Sequence, residues 1–421
     1  MSGIILFALF FGLLLIVPVG YAIGIATLLS MIFCTSIPLE TFTQTSVSGA
    51  NSFTLMAVPF FMLCGSLMTT GGVAKRIVNF VNTLFGALTG GLAIVTTVAC
   101  MFFGAISGSA VATTSAIGSF MIPEMRKKGY DDGFSGAVAA AAGSVGVIIP
   151  PSVPFVIYGV VVSCSISDLF KAGIIPGILM GVALMIVCYA LSKNRGYEGT
   201  GHVCTAWEVW ASFKDAFFAL LMPVIILGGI YSGVFTATEA AVVAVVYCIV
   251  VSVFVYREMT WKQVYEAFSS VVEINGVTLF MMGFTVMFAS YLTLENIPSS
   301  IASFIMSISD NKFIILLIIN FFLLLVGCVI DNIPATIIFA PIFLPVVAKL
   351  GMSPITFGVM LTMNLAIGFV TPPYGICLFM VSAISEIQMG EMMKNMVGFL
   401  IALLVVLALV TYIPFVTMCL L

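Results

Sequence analysis

Long apolar blocks follow one another along the chain, and polar residues are confined to short interruptions between them. A helix that spans a bilayer needs roughly 20 mostly apolar residues. Windows close to that length recur along the chain, at 169–191, 217–234, 240–256, 313–330 and 397–421. Outer-membrane strands would instead alternate apolar and polar positions over about ten residues. The pattern therefore predicts an all-α polytopic membrane protein, with residues 1–421 forming a single integral membrane domain.

Two segments interleave polar and apolar residues. Residues 73–85 combine Lys, Arg and Asn with Val, Ile and Phe, and residues 259–271 combine Lys, Gln and Glu with Val, Trp and Phe. Helices of this kind tend to lie in the plane of the membrane interface, so we expect two interfacial helices here. Residues 7–33 contain Pro18 and Gly20, which leaves open whether this region is one kinked span or two short ones.

Composition and charge agree with the membrane assignment. Charged residues make up 7% of the chain and hydrophobic residues 62%, whereas a soluble domain carries about 25% charge. The net charge of −3 is spread thinly and offers no basic face for nucleic acid. Basic residues cluster at 75–76, 126–128, 193–195 and 257–262. Their spacing along the chain places all four clusters on one side, and the positive-inside rule makes that side the cytoplasm.

Several function classes lack the residues that they would need. No G-x-x-x-x-G-K-[ST] run occurs, which disfavours an ATP-driven pump. No Ser–His or paired-carboxylate arrangement can be built around the polar interruptions, so we do not expect an enzyme. The ten cysteines have no metal-ligand spacing and lie mostly in apolar blocks, where they are interpreted as small buried hydrophobes.

Proline-containing interruptions occur in corresponding places of two halves, as GSVGVIIPPS and as LAIGFVTPPYG. We call residues 146–151 break 1 and residues 368–373 break 2. Equivalent positions are 222 residues apart, or 223 for the last pair: Pro150-Pro151 with Pro372-Pro373, Gly146 with Gly368, Pro123 with Pro345, and Gly104 with Gly327. Glycine and proline are common in membrane helices, but this correspondence favours an internal repeat over about 50–192 and about 272–421. Paired interruptions of this kind point to the binding site of a transporter.

Each break suits a small cation. Proline has no N–H, so the carbonyl four residues earlier loses its helical partner. Pro150 is expected to free the carbonyl of Gly146, and Pro372 that of Gly368. Irregular backbone at membrane depth is tolerated only where it is buried or lines a cavity, and unpaired carbonyls there are suitable ligands for an alkali cation.

A polar, proline- or glycine-rich segment precedes each break by about 40 residues. The first is too polar for a lipid-facing span, and both are predicted to form re-entrant helical hairpins. They carry side-chain oxygens that could complete a cation site: Ser107, Ser109, Thr113 and Thr114 in the first, and Asp331, Asn332 and Thr336 in the second. Half-helix N-termini in such hairpins carry partial positive charge and favour an anionic substrate.

Asp331 has two interpretations. A carboxylate between apolar blocks is costly in a membrane and is a functional hypothesis by default. Equally, Asp331 precedes Pro334 at a position typical of a helix N-cap. A stand-alone cation/proton antiporter or organic-anion carrier that uses Asp331 therefore stays open as an alternative function.

The run GAISGSAVATTSAIGSFMIPEMRKKGYDDGFSGAVAAAAGSVGVIIPPSVPFVIYG and the later GFVTPPYGI resemble the signature regions of the large membrane subunit of tripartite ATP-independent periplasmic (TRAP) transporters. The resemblance covers essentially the whole chain. It implies two inverted repeats, an elevator-type mechanism and sodium-driven uptake of an organic acid such as sialic acid or a C4-dicarboxylate. It also implies a bacterial inner-membrane location, a small four-helix membrane subunit and a periplasmic substrate-binding protein, with neither ATP nor an organic cofactor.

The same resemblance implies two sodium sites. Site 1 falls on Ser107, Gly146, Ile149 and Pro151, and site 2 on Gly327, Gly368, Thr371 and Pro373. Other residues of the breaks and hairpins are candidates for the substrate path: Ser109, Thr113, Pro150, Ser152, Asp331, Asn332 and Pro372.

Overall fold

The computed structural model describes residues 2–14, 17–35, 37–199, 201, 204–309, 311–373 and 375–421. Throughout these residues the regular structure is helical and no strand forms. Seven of the helices in this part of the chain are long and apolar enough to cross a membrane. The all-α, multi-pass prediction is therefore confirmed.

The first half contains ten helices within the described residues. They are α1 Ser2–Leu14, α2 Val19–Cys34, α3 Leu39–Ala50, α4 Ala57–Thr70, α5 Val73–Phe85, α6 Gly91–Ser107, α7 Ala110–Lys127, α8 Asp132–Ser144, α9 Val153–Val162 and α10 Ile166–Arg195. A 3-10 turn, Phe53–Met56, leads into α4, and a second, Val145–Val147, ends α8. The N-terminal region forms two packed helices, α1 and α2, because Pro18 can begin a helix but cannot continue one.

Ten further helices follow in the described part of the second half. They are α11 Ala206–Tyr231, α12 Ala237–Ile249, α13 Trp261–Leu294, α14 Ile297–Ile308, α15 Lys312–Gly327, α16 Asn332–Lys349, α17 Pro354–Gly368, α18 Ile376–Ser385, α19 Met389–Tyr412 and α20 Phe415–Met418. A π-helical turn, Val250–Val255, continues α12. Capping boxes begin α11, α12 and α13, so local sequence defines where each of these helices starts.

The two amphipathic segments have different structures. Residues 73–85 form α5, a helix of its own, as predicted. Residues 259–271 do not form a separate interfacial helix, because Thr260 caps α13 and the helix then runs without interruption to Leu294. Residues 259–271 contain no proline or glycine that would end a helix. Breaking the helix there would leave backbone N–H and C=O groups unpaired, so the helical hydrogen bonds continue.

Arg76 ties α5 to neighbouring helices. Its guanidinium lies 3.2 Å from the Asp215 carboxylate and 2.8 Å from that of Glu258, and it stacks 3.8 Å from the centroid of the Tyr256 ring. Burial alone would lower the pKa of Arg76, but the hydrogen bond to Glu258 and the charges of Asp215 and Glu258 outweigh it and raise that pKa. Arg76 therefore stays charged and joins α5 to α11 and to the segment before α13.

Two hairpins and two interrupted helices form the centre of the fold. Hairpin 1 is α6 and α7, and hairpin 2 is α15 and α16. Break 1 lies between α8 and α9, and break 2 between α17 and α18. Equivalent helices start at nearly constant spacing: α7 and α16 are 222 residues apart, α8 and α17 are 222 apart, and α10 and α19 are 223 apart.

The helices that follow the breaks pack across the molecule. Helix α9 packs on α16 of hairpin 2, and α18 packs on α7 of hairpin 1. Midway along α9, the Tyr158 hydroxyl donates to the carbonyl of Pro354, the first residue of α17, at 2.6 Å. At the end of α18, the Ser385 carbonyl accepts from Arg126 at 2.9 Å. The helix that follows each break thus contacts the other half of the molecule: α9 packs on α16 and bonds to the start of α17, and α18 packs on α7 and bonds to its last turn.

Candidate ion and substrate sites

Hairpin 1 and break 1 meet at their backbones. A Cβ built on Gly104 would lie 2.6 Å from the Gly146 Cα, so α6 can approach break 1 this closely only because residue 104 is glycine. At the hairpin turn, a Cβ on Gly108 would lie 2.7 Å from the Pro151 carbonyl oxygen. The Gly108 carbonyl accepts a hydrogen bond from Val153 N–H at 3.3 Å. Residues about 40 apart in sequence therefore form one site.

Hydroxyl groups surround Gly146. The Ser107 and Thr113 hydroxyl oxygens are 3.0 Å apart, and Thr113 donates to the Ser109 carbonyl at 2.7 Å. A Cβ on Gly146 would lie 2.6 Å from the Thr113 hydroxyl oxygen. Ser107, Thr113 and Gly146 are all buried. The side chains of hairpin 1 thus bring oxygen atoms to the backbone of break 1.

Break 1 leaves the carbonyl of Gly146 free. The 3-10 turn Val145–Val147 ends α8, and the N–H groups of Ile148 and Ile149 both donate to Val145. Among the described residues no backbone N–H donates to the Gly146 carbonyl, as expected from Pro150. An unpaired carbonyl and two hydroxyls, carried by residues that pack together, are oxygen ligands, which suit an alkali cation better than a soft metal. Two of the four residues implied for site 1, Ser107 and Gly146, thus carry oxygen atoms of the kind that sodium would need.

Hairpin 2 and break 2 are in even closer contact. A Cβ built on Gly368 would overlap the carbonyl carbon and oxygen of Gly327, and one on Gly327 would lie 3.0 Å from the Leu365 Cα. Helices α15 and α17 therefore end against each other, backbone to backbone. The contact brings together two of the residues implied for site 2.

The carbonyl of Gly368 differs from the sequence-based expectation. Pro372 removes its helical partner, but Thr371 N–H donates to it at 3.1 Å. The chain tightens into a 3-10-like turn there, which gives the carbonyl a donor three residues on. The prediction that Pro372 leaves this carbonyl free is wrong. A carbonyl has two lone pairs, so Gly368 can still provide one oxygen ligand, and the Thr371 hydroxyl lies near the same turn, donating to Ile367 at 2.9 Å.

The substrate-path candidates fall into two groups. Four are buried and already packed or bonded within the protein: Thr113, Pro150, Ser152 and Asn332. Ser152 donates to the Val147 carbonyl at 2.6 Å, and Asn332 accepts from Thr336 at 3.0 Å. The other three are accessible: Ser109 and Asp331 are half-buried and Pro372 is exposed. Only the accessible group can meet a ligand without rearrangement.

Several helices begin at the breaks and hairpin turns. Ser109 caps α7 by accepting from Ala112 N–H at 3.4 Å, and Ser152 caps α9 by accepting from Phe155 N–H at 3.3 Å. Asp331 occupies the N-cap position of α16, but its side chain makes no capping hydrogen bond. Capping therefore does not account for the Asp331 carboxylate. The N-termini of α7 and α9 carry partial positive charge that suits an anion.

A buried polar network was not predicted from the sequence. Asn320 on α15, Asn364 on α17 and Thr411 on α19 are hydrogen-bonded to one another within apolar surroundings. Asn320 is the only polar side chain in the run FIILLIINFFLLLVG, seven residues before Gly327. That isolated amide was a signal that sequence analysis could have used.

Paired hairpins and interrupted helices are typical of membrane transporters. The family model for the tripartite ATP-independent periplasmic transporter, DctM component, matches residues 6–416. The chain therefore belongs to the DctM family of TRAP transporter large permeases.

Individual relatives agree with this assignment. The C4-dicarboxylate TRAP transporter large permease DctM of Pseudomonas aeruginosa is 41% identical over 87% of this chain and 86% of its own length. The sialic acid large permease SiaM of Vibrio cholerae is 40% identical over 94% of this chain and 93% of its own. The isethionate permease DctMQ of Oleidesulfovibrio alaskensis is 40% identical over 98% of this chain, which spans only 65% of that relative.

A solved structure supports the fold. The YdaH transporter of Alcanivorax borkumensis superposes with a TM-score of 0.65 over 91% of this chain and 90% of its own, at 15% identity. At that identity the likeness concerns architecture alone.

Proposed function

We propose that this chain is the large permease subunit of a sodium-coupled TRAP transporter that imports a small organic acid across the bacterial inner membrane. The observation that carries the proposal is site 1, where the Gly146 backbone, whose carbonyl accepts no backbone hydrogen bond among the described residues, packs against the Ser107–Thr113 hydroxyl pair. The relatives named for sialic acid, C4-dicarboxylate and isethionate support a carboxylate or sulfonate as substrate. Which of these anions is carried is left to experiment.

Sodium would couple to the substrate through the hairpin turns. A cation at site 1 would hold the turn of hairpin 1 against break 1, because its ligands come from both. The N-termini of α7 and α9, capped by Ser109 and Ser152, would then be fixed near each other with their N–H groups directed at one anion. The cation also offsets the cost of bringing a carboxylate into the membrane. Empty sites would leave the anion poorly held, which is the basis of symport.

We further propose that the two units are inverted repeats and that transport is of the elevator type. The equal spacing of α7, α8 and α10 with α16, α17 and α19 supports the repeat. Inversion is supported by a contact of α18: the Ser385 carbonyl, at its end, accepts from Arg126 near the base of hairpin 1, whereas α17, which leads into break 2, starts near the base of hairpin 2. The two hairpins would therefore enter from opposite sides. The hairpin-bearing unit would slide against the remaining helices with its cargo.

A small four-helix membrane subunit and a periplasmic binding protein are part of the proposal. Uptake by proteoliposomes tests it directly, with the small subunit co-reconstituted, the binding protein loaded outside, and sialic acid, succinate and isethionate compared. We expect uptake of one acid only with an inward sodium gradient and with the binding protein present. Full uptake by the large chain alone under a proton gradient would contradict the proposal. Loss of that uptake in Asp331→Asn would then support the antiporter or organic-anion carrier alternative.

A further inference from the structure

Three polar side chains join α15, α17 and α19 inside the protein; we call them the amide network. The Asn364 amide nitrogen donates to the Asn320 side-chain oxygen at 2.7 Å and to the Met360 carbonyl at 2.8 Å. The Asn320 amide nitrogen donates to the Thr411 hydroxyl at 3.2 Å. Asn364 is fully buried, and Asn320 and Thr411 are 6% and 2% exposed.

The amide network lies directly behind site 2. Asn364 is one helical turn before Gly368, and Asn320 is about two turns before Gly327. The Asn320–Asn364 hydrogen bond thus joins α15 and α17 just before they end against each other. A Cβ on Gly327 would lie 3.4 Å from the Asn364 carbonyl oxygen, so the amide network and the glycine contact belong to one packed unit.

The first half shows that the fold does not require these amides. With the spacing that pairs Gly327 with Gly104, Asn320 corresponds to Thr97 and Thr411 to Cys188, and these two make only a 3.7 Å hydroxyl–sulfur contact. With the 222-residue spacing that pairs Gly368 with Gly146, Asn364 corresponds to Ala142, which has no polar side chain. Helices α6 and α8 nevertheless pack together at break 1.

Stability is also a poor explanation for the amide network. The Asn364 side-chain oxygen is buried and has no hydrogen-bond partner among the described residues. Leaving such a group unpaired costs about 1–3 kcal/mol, and a partly satisfied network is worse than an apolar one. An apolar set like that of the first half would stabilise this region at least as well.

We propose that Asn364, held by Asn320, is a positioning residue that sets the separation of the Gly327 and Gly368 carbonyls and thereby the sodium affinity of site 2. This inference rests on the proposed function and deepens it. The Asn320–Asn364 hydrogen bond fixes α17 against α15, so that both carbonyls stay within reach of one cation. Neither amide touches the ion.

The test is a sodium titration of thermal unfolding, with choline as the balancing cation, on the purified full-length chain together with its small subunit. Asn364→Ala, Asn320→Ala and the double variant are compared with Thr97→Ala, the matched change in the first half. We expect the half-saturating sodium concentration to rise roughly tenfold in each Asn variant, as for residues that orient metal ligands. The double variant should be no worse than either single one, because both remove one interaction. The midpoint without sodium should change little, and Thr97→Ala should titrate like the wild type.

Three results would overturn the inference. One is an Asn364→Ala protein that titrates like the wild type, and another is an equal shift in Thr97→Ala. The third is strictly additive shifts from the two Asn substitutions. If Asn364→Ala does not fold, Thr411→Val removes only the outer contact of Asn320 and should shift the titration less in the same direction; no shift would count against the proposal. A wild type without any sodium response would refute the proposed function itself, which separates the two failures.

Discussion

Breaks 1 and 2 have the same order of elements but different surroundings. Pro150 and Pro151 are buried, whereas Pro372 and Pro373 are exposed. The turn of hairpin 1 consists of two residues between α6 and α7, and that of hairpin 2 consists of the four residues 328–331, of which Val329 is 63% exposed. Break 1 is enclosed by its hairpin, while break 2 is open on one side.

The two breaks also differ in how the carbonyl of their glycine is hydrogen-bonded and in which groups surround it. At break 1 the Gly146 carbonyl has no backbone donor among the described residues, and the Gly146 Cα packs against the Thr113 hydroxyl. At break 2 the Gly368 carbonyl already accepts from Thr371, and its neighbour is the backbone of Gly327. The proposed site 1 would therefore rely on side chains that are already in place, and the proposed site 2 on the separation of two helix ends. One architecture thus supports two sites that should respond differently to substitution.

The largest expected difference follows from the glycines. In Gly368→Ala the new methyl group would overlap the Gly327 carbonyl, which is backbone and cannot rotate away. We expect a loss of about 1–3 kcal/mol in the free energy of unfolding, together with loss of uptake, measured by thermal unfolding and proteoliposome assay. Gly146→Ala should cost less, because its nearest neighbour is the Thr113 hydroxyl. Gly228→Ala, which has open space around it, serves as the control. Equal losses at Gly146 and Gly368 would remove the distinction between the two breaks.

The next effect concerns the side-chain oxygens. Ser107→Ala removes a buried hydroxyl beside the free Gly146 carbonyl, and we expect the half-saturating sodium concentration for uptake to rise at least roughly tenfold. Thr371→Ala should produce a smaller rise, because Thr371 is only partly buried and water can replace its hydroxyl. Thr70→Ala, on an exposed hydroxyl that bonds only within its own helix, should have no effect. If the half-saturating sodium concentration rose more in Thr371→Ala than in Ser107→Ala, site 2 and not site 1 would be the site whose side chains are already in place.

The smallest effect concerns two hydrogen bonds between the halves, from Tyr158 to Pro354 and from Arg126 to Ser385. Tyr158→Phe removes a buried hydrogen bond to Pro354, and we expect a loss of about 1 kcal/mol in unfolding free energy. Arg126→Gln should cost less, because its side chain is 38% exposed and its pairing with Asp132 is screened by water. Chemical denaturation of the purified complex would measure both, with Tyr412→Phe, which removes a solvent-exposed hydrogen bond to Phe313, as the control. An Arg126→Gln variant that unfolds more easily than Tyr158→Phe would contradict this order.

Sequence patterns predicted the features that depend on local chemistry. The length of the apolar blocks predicted the membrane-spanning helices. The glycine- and serine-rich run predicted hairpin 1, and the positions of the prolines predicted both breaks. Helix α5 appeared with the predicted bounds because its amphipathic pattern ends at Gly86. The failure at 259–271 has the opposite cause: no residue there stops the helix, so the amphipathic turns became the start of α13.

Features that depend on tertiary contacts were not predictable in this way. The donor that reaches Gly368 depends on how tightly the chain turns after α17, which proline position alone does not determine. Likewise, Thr113, Ser152 and Asn332 could be listed as polar, but their burial is decided by packing between helices. The amide network needs three residues from 320 to 411 to converge, and only the isolation of Asn320 hinted at it.

Helices α11 and α12, which separate the two units, have a consequence for topology. If hairpins return to the side from which they enter, the elements α4, α8 with α9, α10, α11 and α12 make five crossings before α13 begins. Because five is odd, α13 would start on the side of the membrane opposite to the start of α4. The proposed inversion would therefore follow from the number of crossings alone. Deleting α11 and α12 together would keep α13 in its orientation, whereas deleting either one would turn the whole second unit over. An antiparallel pair is thus the smallest piece that evolution or engineering could add to or remove from this position without reversing the second site.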